Sequence, residues 1–448
     1  MLYSPKPIAI MLAADTIDRS RAKKGDGGQT GSRQDAGRYS HMRCVGNLEH
    51  IEAIEGRTCV FENICHEPSS DEFIFYSRRN ESVPLLYDHR RGEQRRLRWR
   101  KAGGDEIDAD FATLSKFVSY KHRNTWSAVV HESPLPPDYS LLKGTFALSA
   151  PFVPTNLGHV AWDEAFPLLV AMAQLGVYTP ALNILRTHRC EELSLRTNSS
   201  TLVCNKFAHA FLSPLTGAQP LDSPPRLQTL PDLAAAHPRS TLCFERLLVG
   251  GSFDAFNSEA LNVGKEPLLA LFRHRVLAWH AIDPTAVPSR HQILLVRKQG
   301  RRAIANFAKV EAFVRARFEH VAKVVVTDYS SLTMREQLQI VASSTIAISP
   351  CGGISMILPF LPEGAYAILL NYLLGADEPR RHGECEGCSW SMEAELWRHV
   401  RHVNKMYYQV WDASDFSRSG PGRDSSVRVK PPRLARLIEA ALEEMQPR

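Results

Sequence analysis

Between His291 and Tyr372 the chain repeats one short rhythm, and that rhythm admits few folds. Apolar runs at Ile293–Val296, Val324–Val326, Ile346–Ile348 and Ala367–Leu370 alternate with helix-like segments at Ala308–Phe318 and Met334–Ser343. Strands alternating with helices predict a parallel sheet covered by helices. The loops after the strands are basic or glycine-rich: Arg297, Lys298, Arg301 and Arg302 follow the first, and Cys351-Gly352-Gly353-Ile354-Ser355 follows the third. Open α/β sheets bind ligands beyond the carboxyl ends of their strands. This half is therefore suited to an anionic ligand such as a nucleotide diphosphate.

At 448 residues the chain is long for one core and predicts two or three domains. Its 54 basic and 48 acidic residues leave a net charge of +6. That mild excess fits an anionic ligand or an acidic polysaccharide, and no nucleic-acid module pattern accompanies it. No apolar run approaches the roughly 18–20 residues of a membrane span, and Ile8–Ala14 is short for a signal-peptide core. Of nine cysteines, an odd count leaves at least one unpaired. Cys59 and Cys65 share one short segment and can close a small loop. Cys385 and Cys388 form a C-x-x-C with only His382 nearby, which reads as a disulfide or two thiols rather than a four-ligand zinc site. Two sequons, at Asn80 and Asn198, lend weak support to secretion.

Along the chain, residues 1–41 read as a disordered tail and 42–283 as an N-terminal lobe. Residues 284–413 read as a C-terminal lobe, and 414–448 as a linker and final helix. Strands are expected at Cys59–Ile64, Phe73–Tyr76, Val83–Tyr87 and Leu242–Gly250. A helix is expected at Leu157–Gly176 with Asn156 as its N-cap. Pro214–Arg239 reads as a long surface loop, Asp283–Pro288 as a linker and Ser391–Val410 as helical. Arg433–Met445 is an amphipathic helix with Leu434, Leu437, Ile438 and Leu442 on one stripe. The basic segment His89–Lys101 reads as a solvated edge or as a landing patch for an acidic glycan. Asp108-Ala109-Asp110 spells a D-x-D, but its glycine- and acid-rich surroundings argue against a metal site.

The order of these parts resembles a known family. Arg297, Arg302 and Asn306 form R-x(4)-R-x(3)-N; Asp328, Glu336-Gln337, the glycine turn and Phe360-Leu361-Pro362-Glu363-Gly364-Ala365 follow. Upstream stand Asn156-Leu157-Gly158-His159-Val160-Ala161-Trp162-Asp163-Glu164-Ala165-Phe166-Pro167 and the Cys59–Cys65 strand. Together they resemble glycosyltransferase family 61. The resemblance implies an α/β fold of two Rossmann-like lobes, the glycosyltransferase B-type fold, with a C-terminal crossover helix. The N-terminal lobe would bind the acceptor and the C-terminal lobe the nucleotide sugar. The implied reaction is inverting transfer of xylose, arabinose or GlcNAc from a UDP-sugar to a hydroxyl of a glycan or glycoprotein. It needs no cofactor beyond that co-substrate and no metal. The implied location is the Golgi or endoplasmic reticulum lumen, with any membrane anchor absent from this chain.

Such a reaction needs a base and a positive site for the departing diphosphate. His159 and Asp163, four residues apart on one helix face, are the base candidates; a capping His with a first-turn acid is the plainer reading. Arg297 and Arg302 are candidates for the diphosphate, with Gly352, Gly353 and Ser355 at the turn. Glu336 would hold the ribose, and Asn306 contacts donor or caps the next helix. One departure stands out. The family's turn carries a histidine before its glycines, and here that slot is Pro350 or Cys351, depending on which flank is aligned. A non-catalytic glycan-binding relative is the alternative reading.

Overall fold

The computed structural model describes residues 37–45, 57–79, 97–100, 106–109, 112–113, 125–179, 181–193, 198–217, 226–238, 240–251, 262–370, 394–408, 410, 413–417 and 425–445. The sequon at Asn80, the strand expected at Val83–Tyr87, Asp110 and the Cys385–Cys388 pair lie outside them. The chain forms two units. The first is Met1–Ala150, Leu168–Thr187 and Gln228–Ser252; the second is Pro151–Pro167, His188–Leu227 and Phe253–Arg448. The sequence boundary at 283/284 therefore differs from the structural one, and the segment carrying His159 and Asp163 packs with the second unit. The resulting architecture is mixed α/β.

The first unit is built on a mixed sheet. Its described strands are β1 (His41–Val45), β2 (Thr58–Glu62), β3 (Ile64–Glu67), β4 (Glu72–Tyr76), β5 (Val129–His131), β6 (Tyr139–Ser149), β7 (Leu182–Arg186), β8 (Leu227–Thr229) and β9 (Thr241–Gly250). They run β8-β7-β6-β9-β3-β4-β5, with β2 also on β9 and β1 on β2. β6 is parallel to both β7 and β9, while β2 and β3 lie antiparallel to β9. The expected strand Cys59–Ile64 is thus two strands. Asn63, at φ 57°, breaks it, because asparagine tolerates the left-handed region better than most residues. Its N–H still reaches Phe244 O at 2.9 Å.

Two disulfides cross this sheet between directly paired residues, Cys44–Cys59 and Cys65–Cys243. This corrects the expected Cys59–Cys65 loop. Successive residues of a strand face opposite sides, and here each cysteine meets a directly opposed partner on a neighbouring strand instead. Phe61, Phe73, Phe146, Phe244 and Trp126 fill the core between them.

The second unit holds β10 (Gln292–Val296), β11 (Lys323–Thr327), β12 (Ile346–Pro350), β13 (Tyr366–Leu370) and β14 (Asn404–Tyr408) in an all-parallel sheet. The order is β11-β10-β12-β13-β14. Helices α3 (Phe307–Phe318) and α4 (Met334–Ala342) make the first two crossovers. Ile293, Leu295, Ile346, Ile348 and Ile368 are fully buried, each stabilising by roughly 1.5–3 kcal/mol relative to exposure. The final helix, α5 (Pro431–Glu444), buries Leu434, Ile438 and Ala441 in this same core. Its Glu439 pairs with Arg317 of α3.

Three expectations need correction. Ser391–Val410 is a short helix, Ala394–His399, followed by β14 rather than one helix. Pro214–Arg239 holds helix Ser213–Thr216, β8 and helix Leu230–Ala236, the last capped by Thr229, which accepts from Asp232 N. The expected linker at 283–288 sits inside the second unit. Among the described residues no helix is long and apolar enough to cross a membrane.

Candidate active site

In chain order the second sheet runs 2-1-3-4-5, so its direction of winding reverses between β10 and β12. A doubly wound sheet leaves a crevice at that switch, beyond the carboxyl ends of the two strands. β10 runs out into Arg297 and Lys298, and β12 into Cys351-Gly352-Gly353. Lys298 Nζ donates to Cys351 O at 3.1 Å. Gly352 has φ 106°, and a Cβ there would stand 3.1 Å from Lys298 Nζ and 3.2 Å from Arg302 Cζ. The bare glycine lets two cations close over one turn. Arg302 itself sits at φ 56°, an uncommon conformation for a side-chain-bearing residue. The turn thus brings two cationic side chains to one point, where both attract an anion.

Gly353 opens the 3-10 helix Gly353–Phe360, and a second segment docks on this helix. Asn156 caps α1 (Leu157–His159) by accepting from Gly158 N at 3.0 Å. The same side chain fills the space above Gly353, where an added Cβ would lie 2.2 Å from Asn156 Oδ1. Gly158 gives Met356 its room, since a Cβ there would be 3.0 Å from Met356 Cγ. Trp162 completes the joint: its Nε1 donates to Met356 O at 2.9 Å, and its ring packs on Phe272 and Phe360. Asn156, Gly158 and Trp162 thus hold the helix against the glycine turn.

α1 continues into a π-helical turn, Val160–Ala165, before α2 (Phe166–Leu175) resumes regular winding. The Phe166 N–H bonds to Ala161 O, five residues back. Such turns are rare and concentrate at functional sites. Both Asp163 and Glu164 are buried here. His159 Nδ1 meets Asp163 Oδ2 at 2.6 Å, with the histidine 15% exposed and the aspartate fully buried. An ionised carboxylate only accepts, so opposite an ionised Asp163 the His159 Nδ1 is the donor of the pair. The Phe152 ring packs edge-on against the imidazole at 4.9 Å. The pair has the geometry of an oriented general base.

The remaining candidates have local duties. Arg297, 46% exposed, donates to Glu311 Oε2 at 2.9 Å and lies 4.7 Å over Phe307, both on α3. Asn306 makes no side-chain cap; its Nδ2 donates to Val429 O at 2.8 Å and its Oδ1 accepts from Val429 N at 2.9 Å. Glu336 closes a capping box with Thr333 at the start of α4. The Thr333 backbone N–H, then its hydroxyl, hold that carboxyl below its usual range. Ser355 Oγ is buried and donates to Gly352 O at 2.8 Å, bracing the turn from within. Asp328 caps the turn after β11, its carboxyl lowered first by the Ser330 N–H.

Lys298 is the residue that motif reading passed over in favour of the arginines. A usable signal was present, since successive residues at a strand end tend to point to opposite sides, so Arg297 and Lys298 were not equivalent candidates. The second contact of Asn156 carries no such local signal.

Residues 158–368 match the family model described as Glycosyltransferase 61. No curated protein matches the chain. Among solved structures it is similar to the iron-containing dodecameric glycosyltransferase TibC from enterotoxigenic E. coli H10407, at 11% identity, TM-score 0.29, and 70% of this chain against 79% of that one. It is also similar to the E. coli heptosyltransferase WaaC, at 8% identity, TM-score 0.26, and 66% of this chain against 99% of that one.

Proposed function

From membership of glycosyltransferase family 61, carried by residues 158–368, which makes the chain a glycosyltransferase, we propose an inverting transfer from a UDP-sugar. The sugar is xylose, arabinose or GlcNAc, and the acceptor is a hydroxyl of a glycan or glycoprotein. The observation that carries this reading is the docking of the His159–Asp163 segment on the Gly352–Gly353 turn through Asn156, Gly158 and Trp162. It ties an oriented base to a cationic turn within one unit.

In the proposed step His159 Nε2 takes the acceptor hydroxyl proton. The acceptor oxygen bonds to the anomeric carbon as the bond from that carbon to the diphosphate breaks. The electron pair leaves on the diphosphate, and Lys298 and Arg302 meet its charge. Asp163 stabilises the imidazolium that forms. Lys298 supplies at this turn the polarity that Pro350 and Cys351 do not. The two-lobed B-type plan and a metal-independent reaction belong to the same proposal. So does a lumenal location, which the three disulfides among the described residues, Cys44–Cys59, Cys65–Cys243 and Cys190–Cys204, support, because such bonds persist in oxidising compartments.

The test is thermal stability against a panel of nucleotides and UDP-sugars, with and without manganese, joined to UDP release with candidate acceptors. A ligand of the native state raises the melting temperature. UDP or one UDP-sugar is expected to raise it selectively, without metal, and Lys298→Ala to abolish the shift. His159→Ala keeps the shift and lowers turnover by roughly 10²–10⁴-fold. The absence of a shift with every nucleotide overturns the donor site.

A further inference from the structure

On the first unit, β1, β2 and β9 floor an open groove of about 300 Å³. Cross-strand register sets His41 opposite Glu62 and Arg43 opposite Val60, and residues two apart share a face. Leu247 pairs with Phe61, so its predecessor Arg246 comes beside Glu62, and His41, Arg43, Val60, Glu62 and Arg246 line the groove. One wall is the turn at Gly176–Val177 that ends α2. There Gly176, at φ 63°, and Val177 bond back to Ala173 and Met172, closing the helix with a Schellman turn.

The polar groups divide into held and available ones. Arg43 Nη2 donates to Leu175 O at 2.5 Å and so is pinned to the helix carboxyl end. Arg246, Glu62 and His41 make no side-chain hydrogen bond or ion pair with another described residue. The groove thus offers a guanidinium fork, a carboxylate and an imidazole over a floor of Val60, with two arginines against one glutamate. A fork pairs bidentately with a carboxylate, and Glu62 accepts from hydroxyls. A carboxylate and several hydroxyls on one ring describe a uronic acid. An acidic peptide fits less well, since it brings carboxylates to Glu62 with few hydroxyls to offer it.

We propose that this groove is a second carbohydrate site, one that binds a carboxylate-bearing saccharide through Arg246 and its hydroxyls through Glu62 and His41. It is distinct from the donor turn of the second unit. The chain's net charge of +6 favours encounter with such a polyanion.

The experiment titrates the full chain with a glucuronate oligosaccharide, the same oligosaccharide with its carboxylates reduced to alcohols, and an oligoglutamate peptide. Binding is read by calorimetry. The acidic saccharide is expected to bind at least about tenfold more tightly than the neutral one, the scale of a charge-assisted hydrogen bond. Arg246→Ala is expected to erase that difference, while Arg246→Lys keeps part of it and shows that the strand still folds. The UDP-induced thermal shift stays as in the wild type, so failure of the donor site and failure of this groove read separately. Equal binding of the neutral saccharide, tighter binding of the peptide, unchanged affinity in Arg246→Ala, or no binding at all overturns the proposal.

Discussion

The two sheets of this molecule solve the same problem with different chemistry. The sheet of the second unit is parallel and is held by side chains buried on both faces, Ile293, Leu295, Ile346 and Ile348 on one and Leu294, Val296 and Ala347 on the other. The sheet of the first unit mixes parallel and antiparallel pairs, and two disulfides fasten neighbouring strands across β1–β2 and β3–β9. Apolar burial is distributed, so no one bond holds the second sheet. The cross-links concentrate constraint at single bonds, so the first unit is sensitive to reductant. The second unit also holds a disulfide, Cys190–Cys204, outside its sheet, but it is set apart by sensitivity to acid, because among its described residues burial pushes down His274, His280 and His402.

Reduction is the strongest way to break this comparison. Cys65–Cys243 joins residues 178 apart in sequence. Its removal as Cys65→Ala with Cys243→Ala is expected to cost about 2–5 kcal/mol. Hydrogen exchange resolved by peptide locates the loss: β2, β3 and β9 lose protection while β10–β13 keep theirs. Equal loosening of both sheets would end the claim that they are independently held.

Acid gives the next largest effect and acts on the other unit. His402 Nε2 donates to Pro359 O at 2.9 Å, at the end of the 3-10 helix that begins with Gly353. Burial, and then the Arg273 guanidinium, push its pKa down to about 4 from 6.5. The imidazole is therefore neutral in the native state, while an unfolded chain takes up its proton near pH 6.5. Stability is whole above that pH, declines as pH falls from 6.5 toward 4, and levels off below. The loss is at most about 3 kcal/mol. His402→Gln is expected to flatten urea-unfolding stability across that window. The first unit holds its nearest counterpart, Glu67, lowered chiefly by the Thr241 hydroxyl. Its contribution is present above the usual glutamate range and is lost only in stronger acid. Protection in β10–β13 should thus decline at a higher pH than protection in β3 and β9.

The same contrast governs what could be read in advance. β10 to β13 were legible within a residue or two because strands buried on both faces are unbroken apolar runs. β14, with sequence NKMYY at the sheet edge, has no unbroken apolar run, so it passed for the end of the helix before it. Thr229-Leu230-Pro231-Asp232 held a cap and a first-turn proline, and the helix there was legible but overlooked. The disulfide partners were not legible, since pairing across β3 and β9 depends on strand register between distant segments. At the site, residue types were readable and orientations were not. His159 and Asp163 do pair, Arg297, Asn306 and Glu336 each bond to a neighbour, and Lys298 is the side chain that bonds to the turn.

Gly353→Ala tests the joint between the two halves of the candidate site. The added methyl would overlap Asn156 Oδ1 at 2.2 Å, so either the cap of α1 or the turn must move. A cost of about 1–3 kcal/mol is expected from such overpacking. The UDP-induced thermal shift should fall with it, and Asn156→Ala should restore part of both by making room. A donor shift that survives Gly353→Ala intact would separate the glycine turn from nucleotide binding.

The smallest effect concerns Thr333, and it decides between two readings of one carboxylate. Glu336 Oε2 accepts from Thr333 N and from Thr333 Oγ1, each at 2.8 Å, while Thr333 Oγ1 accepts from Glu336 N at 3.2 Å. A glutamate so engaged serves its own helix, whereas a ribose ligand needs a free oxygen aimed at the crevice. Thr333→Ala removes the threonine side of the box and is expected to cost about 1 kcal/mol, seen as early loss of exchange protection at the start of α4. It should leave the UDP-induced thermal shift unchanged, and so should Glu336→Gln. A weakened nucleotide shift in Glu336→Gln with α4 still protected would return that residue to the donor site and show that the box opens when ligand arrives.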